Sequence, residues 1–150
     1  IRMGNQQMGQ EEIESISHAV SSHNFISNLP FKYEQELNED DISSGQRQLL
    51  SFARALAAEP KILILDEATS NVDLETERQI QKGIKEMTRG RTSIIIAHRL
   101  STLMHVDKVL VLKKGEVIEF GKRKELLQQK GIFYQLCQAQ IKLEQSRVGS

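Results

Sequence analysis

The chain has 150 residues, with 20 Lys+Arg against 20 Asp+Glu and a formal net charge of +0. Such a length carries one domain-sized core. The charge balance excludes a nucleic-acid binder driven by bulk positive charge and a polybasic membrane-surface tract. The single cysteine, Cys137, excludes an internal disulfide framework and a cysteine-rich zinc site, and it fits a reducing setting.

Residues 10–28 carry Ile13, Ile16 and Val20 among polar neighbours, which predicts a helix. Leu29-Pro30 ends it, because the residue before proline avoids helical geometry. Residues 31–41, closing on Glu39-Asp40-Asp41, read as loop. Ser43-Ser44-Gly45 opens a second helix, a serine being suited to cap free N–H groups. Its buried face is Leu49, Phe52, Ala53, Leu56 and Ala57, and Pro60 closes it. Residues 61–65 form a continuous apolar strand of the type buried on both faces of a parallel sheet. A turn over Ala68 to Asp73 follows, with Asp73 placed to cap a helix striped by Ile80, Ile84 and Met87 and ended by Gly90.

A strand over 92–97 leads to His98, a short helix to residues 100–105, and a strand to 108–112. Lys113-Lys114-Gly115 is a hairpin turn into 116–120, and helices near 123–129 and 132–143 complete the chain. The longest apolar runs, Ile62–Leu65 and Ile94–Ala97, are far below the roughly 20 residues that cross a bilayer. Ile1-Arg2-Met3-Gly4 has no apolar signal core and reads as a chain cut in mid-domain. The alternation of strands and helices predicts an α/β fold with a parallel sheet. Chemistry in such sheets sits at the C-terminal strand ends, where Asp66, Glu67 and His98 fall.

Two acids directly after a buried strand need a partner, because buried carboxylates are paired or bound to metal. Magnesium with a triphosphate would supply one. Asp66 would hold the ion through water, and Glu67 would accept a proton from the water attacking the γ-phosphate. A strand end reaching solvent explains the same two acids. Ser43-Ser44-Gly45-Gln46 leaves N–H groups at a helix start able to meet an anion, although for this stretch alone an ordinary capped helix is the preferred reading. What shifts the balance is the acidic pair about 20 residues later. His98 could donate a hydrogen bond to a phosphate oxygen. Ser70-Asn71-Val72-Asp73 reads as a turn with a capping aspartate.

Together these residues resemble the ATP-binding-cassette (ABC) family. Ile42-Ser43-Ser44-Gly45-Gln46 is similar to its signature motif, Ile62–Glu67 to Walker B with the catalytic glutamate, Ser70–Asp73 to the D-loop, and His98 to the switch histidine. The stretches Ala97–Thr102, Gly115–Gly121 and Gly131–Leu136 are similar to exporter-type transporters. The resemblance implies an incomplete P-loop-NTPase-type parallel sheet flanked by helices. Residues 1–60 would be a helical signature subdomain, 61–145 the C-terminal part of the ATPase core, and 146–150 a tail.

The resemblance also implies that ATP and Mg2+ are the ligands, with Glu67 and His98 catalytic and Asp66 on the metal. Ser43, Ser44, Gly45 and Gln46 would reach ATP held by a second ABC ATPase domain, in a homo- or heterodimer. Ser70 and Asp73 would lie at that interface. The implied assembly is an exporter that couples ATP hydrolysis to transport, with a transmembrane domain of the same transporter, at the cytoplasmic face of a membrane and without nucleic acid.

The sequence departs from the family pattern in three places. No Gly-x-x-x-x-Gly-Lys-[Ser/Thr] occurs in the chain. The phosphate cradle, the adenine-stacking aromatic and the glutamine-bearing loop are therefore expected upstream of Ile1, and the fragment alone is expected to be inactive. Ser44 stands where the signature has glycine, and Asn38–Asp41 matches the stretch before the signature only loosely. One rival reading is a non-catalytic split cassette lending its signature to a partner. Another, a soluble ABC-type ATPase of DNA maintenance, would show long coiled-coil heptads, and none is present.

Overall fold

A computed structural model describes residues 1, 5, 7–66, 72–97 and 100–148. The chain divides into two compact units, Ile1–Ile96 and Ala97–Ser150.

In the first unit, helices α1 (Gln10–Ala19), α2 (His23–Ser27), α3 (Ser44–Ala57) and α4 (Leu74–Thr88) accompany strands β1 (Ile62–Asp66) and β2 (Thr92–Ile96). The strands pair in parallel, Ile62 opposite Thr92 and Asp66 opposite Ile96. The core is Val20, Leu49, Phe52, Ala53, Leu63, Leu65, Ile80, Ile84 and Met87. Met8, Ile13 and Ala57 form a smaller cluster beside it.

The single helix expected over 10–28 is two. The Ser22 N–H donates to the Ser17 carbonyl at 2.8 Å, the Ser21 N–H donates to the His18 carbonyl at 3.1 Å, and Ser21 takes a left-handed φ of 63°. That is the paired bonding of a Schellman ending, with serine where glycine is usual. The expected loop over 31–41 contains two short 3-10 turns, Lys32–Glu34 and Glu39–Asp41.

The expectation that β1 is buried on both faces is corrected. Leu63 and Leu65 point into the core, while Ile62 and Ile64 are 63% and 67% exposed. Ile94 and Ile96 on β2 are likewise exposed, at 56% and 49%. Successive strand residues face opposite sides, and the helices of the first unit pack on one side only. The composition is that of a two-sided buried strand, yet the second face has no cover among the described residues.

The second unit contains α5 (Leu100–Leu103), strands β3 (Lys108–Lys113) and β4 (Glu116–Lys122), and helices α6 (Arg123–Gln129) and α7 (Ile132–Val148). β3 and β4 are antiparallel. The turn between them is the expected one, Lys114-Gly115, with φ values of 53° and 85°. Two consecutive positive φ angles give the twist that a two-residue hairpin needs. Val109 and Val111 pack with Leu126, Phe133 and Cys137.

A bulge lies between Val111 and Leu112, so that Val111 pairs with Glu119 and Leu112 with Val117. A bulge re-aims the side chains beside it. Glu119 shares the inner face with Val111, and its carboxylate accepts from the N–H groups of Ile132 at 2.6 Å and Phe133 at 2.9 Å. These are two of the orphan donors that open α7.

Candidate functional site

The α3–α4 contact sets the geometry of the candidate site. The two helices face each other through stripes that begin at Gly45 and Thr76 and continue through Leu49, Phe52 and Ala53 on one side and Ile80, Gly83 and Ile84 on the other. Gly45 lies against Thr76, and Gly83 lies against Phe52, so the helices run parallel with their N-termini at one end. Only Ala58–Lys61 separates α3 from β1, and Leu63 and Leu65 share one core with Leu49, Phe52 and Ala53, so the strand must return along the helix. The C-terminal end of β1, carrying Asp66, therefore points to the same end as both helix N-termini.

At the start of α3 the Gln46 N–H donates to Ser43 Oγ at 3.2 Å, and the Ser43 N–H donates to Gln46 Oε1 at 2.9 Å. This reciprocal capping box satisfies two backbone donors at the helix start. Arg47 Nη1 donates to the Ile42 carbonyl at 3.3 Å. Ser44 is exposed and Gly45 is buried. The side chains of Ser43 and Gln46 are thus each engaged with the other's backbone N–H, while Ser44 is exposed to solvent.

At the start of α4 both oxygens of Asp73 accept from Thr76. The Thr76 N–H donates to Oδ1 at 2.9 Å and the Thr76 hydroxyl to Oδ2 at 2.6 Å. The expected capping role of Asp73 is present. The Thr76 hydroxyl and then its N–H hold the Asp73 carboxyl below its usual value.

Asp66 ends β1 with its side chain exposed. Among the described residues no group of three or more His, Cys, Asp or Glu could hold a metal. One carboxylate still suits magnesium, which keeps several waters and commonly takes one or two protein carboxylates together with substrate phosphates. Glu67, Ser70 and His98 lie outside the described residues.

One cluster was not anticipated from the sequence. The rings of His18 and His23 stack at 3.7 Å and 20°, and Tyr33 Oη lies 2.8 Å from His23 Nδ1. Burial pushes the Tyr33 hydroxyl pKa up. The lone pairs of stacked rings lie in near-parallel planes and cannot converge on one ion, so the cluster is a packed corner rather than a metal site. The left-handed Ser21 that forms this corner gives no glycine signal in the sequence.

Comparison with known proteins bears on the whole arrangement. A family profile described as ABC transporter matches residues 3–70, a stretch that includes Ser43–Gln46 and Asp66. An ABC transporter ATP-binding protein of Bacillus subtilis is 46% identical over 143 residues, covering 94% of this chain and 24% of the relative. The chain is similar to ABC transporters, by profile over residues 3–70 and by this relative over most of its length. Among them, the likeness is to exporter-type members. An ATP-dependent lipid A-core flippase of Syntrophus aciditrophicus is 43% identical over 144 residues, 95% of this chain and 24% of the relative. A probable multidrug resistance ABC transporter ATP-binding/permease protein of B. subtilis is 44% identical over 142 residues, 93% of this chain and 21% of the relative. The chain spans about a quarter of the length of these relatives. No helix among the described residues is long and apolar enough to cross a membrane.

Proposed function

We propose that this chain is the signature-bearing and Walker-B-bearing part of an ABC exporter ATPase, hydrolysing ATP to drive transport across a membrane from its cytoplasmic face. The observation that carries the proposal is the shared orientation of Asp66 and the N-termini of α3 and α4, in a chain whose relatives are ATP-binding/permease proteins. The same relatives favour a transporter over an ATPase of DNA maintenance. Residues 1–60 would act as the signature subdomain, and residues 61–145 as part of the ATPase core with a tail after them.

In this proposal Asp66 would hold Mg2+ through water. The ion would neutralise charge on the phosphates. Glu67, the next residue, would accept the proton of the attacking water. His98, two residues beyond the end of β2, would donate a hydrogen bond to a γ-phosphate oxygen. The N-terminal turn of α3, Ser43 to Gln46, exposed at Ser43 and Ser44, would meet ATP held by a second ATPase domain. Ser70 and Asp73 would lie along that interface, and the transmembrane domain of the same transporter would be the mechanical partner.

The test uses the full-length protein. Glu67→Gln is expected to retain ATP binding and lose turnover, and His98→Ala to slow turnover sharply. Near-normal hydrolysis by either variant would remove that residue's role.

A further inference from the structure

We infer that Thr76 is a positioning residue for the signature turn: clamped by Asp73, it packs its methyl group onto Gly45 and so fixes where the first N–H groups of α3 sit. The inference rests on the proposed ATPase function and adds a residue to it.

The linkage runs through three contacts. Asp73 binds Thr76 twice, at the backbone N–H and at the hydroxyl, at 2.9 and 2.6 Å. The hydroxyl bond selects one side-chain rotamer, and a β-branched residue on a helix has few others. In that rotamer the Thr76 methyl occupies the space beside Gly45. A Cβ built on Gly45 would collide with that methyl and would meet Val72 Cγ1 at 2.8 Å. Gly45 is therefore a packing glycine: its missing side chain lets α3 close onto α4 at the end where the site lies.

A threonine does this in a way that serine or valine cannot. Serine keeps the hydroxyl bond and leaves a gap over Gly45. Valine fills the gap but cannot donate to Asp73. The consequence reaches the site because Ser44 and Gly45 open α3, and the donors of a first helical turn move with the backbone that carries them. Asp73 would thus serve the signature turn of its own chain through Thr76, besides any contact across the interface.

The experiment is a mutant cycle in the full-length transporter, reading kcat and KM for ATP together with the melting temperature. Gly45→Ala forces the turn away from α4. It is expected to raise KM about tenfold with a smaller change in kcat, since a misplacement of about 1 Å can cost about a hundredfold. Thr76→Ser on the Gly45→Ala background removes the closer collision and leaves the one with Val72, so it is expected to bring KM part of the way back. Thr76→Val on the same background keeps a methyl and is expected not to.

Should Gly45→Ala prevent folding, Thr76→Val alone carries the test. It is nearly isosteric and is expected to raise KM about threefold at unchanged kcat, a small fraction of the loss a misplaced group can cause. Melting temperatures that couple in the cycle while KM stays constant would overturn the positioning role and leave only packing. No rescue by Thr76→Ser would overturn the contact itself. Absence of ATP hydrolysis by the unmodified full-length protein would instead bring down the underlying ATPase assignment.

Discussion

Glu119 offers the most quantitative test of the second unit. Its carboxylate takes the N–H groups of Ile132 and Phe133, and it sits at the positive end of α7. An N-capping side chain contributes about 0.5–2 kcal/mol, and a charge near a helix N-terminus about 0.3–1 kcal/mol. The side chain is half-buried, so solvent screens part of the charge effect, and about 1–2 kcal/mol is the expected loss for Glu119→Ala. That corresponds to a factor of about 5–30 in a local opening equilibrium. Glu119→Gln keeps one acceptor oxygen and loses the charge, so about half the loss is expected.

Hydrogen exchange at the amides of Ile132 and Phe133 reads this directly. Both should speed up in the order Ala, then Gln, then wild type, while amides of Val109 and Val111 in the hairpin change less. Gly131→Ala should add to the evidence, because a Cβ there would run into Glu119 Oε1 and meet Cδ at 3.0 Å, with an overpacking cost of about 1–3 kcal/mol. Unchanged exchange at both amides in Glu119→Ala would refute the clasp.

Three further outcomes follow. Asp73 has its folded pKa lowered, by the Thr76 hydroxyl first, from an ordinary 3.8. The stabilisation it gives α4 is present above the unfolded value and is lost as pH falls through the folded one, so acid melts of Asp73→Asn should show a shallower loss below pH 3.8 than wild type. Ile64→Lys places a charge on the bare face of β1, where Ile64 is 67% exposed. It should reduce concentration-dependent association in sedimentation without lowering the melting temperature, and unchanged association would deny that this face is sticky. Cys137 is buried and burial pushes its thiol pKa up. Native alkylation should therefore be slow and should become fast on unfolding, whereas rapid native labelling would contradict its place in the core.

Much of this was legible in the sequence, and for identifiable reasons. The caps and the turn are local chemistry: a serine at the start of α3, Asp73 at the start of α4, and Lys114-Gly115 each act within a few positions along the chain. The parallel pairing of β1 and β2 followed from apolar runs separated by a helix. What escaped was non-local or lacked its usual residue. The left-handed Ser21 splits a helix whose apolar stripe continues through the break. The exposure of Ile62 and Ile64 depends on what covers the second sheet face, which composition cannot reveal. The stretches Gly115–Gly121 and Gly131–Leu136 each drew attention separately, but the bulge that aims Glu119 from one to the other is a product of register. Thr76 was hidden because its role depends on the helix facing it.

The central claim is that Glu67 and the α3 turn of one chain serve two different nucleotide sites, and linked dimers of the full-length protein test it most directly. One lesion is Glu67→Gln. The other is Ser44→Trp, which adds bulk at an exposed position of α3 and so blocks approach without disturbing the core. With the two lesions on separate copies, one composite site stays intact and ATP hydrolysis should persist. With both lesions on one copy, each site carries one defect and hydrolysis should collapse. The reverse pattern would show that the two motifs act on the same nucleotide, and would contradict the account.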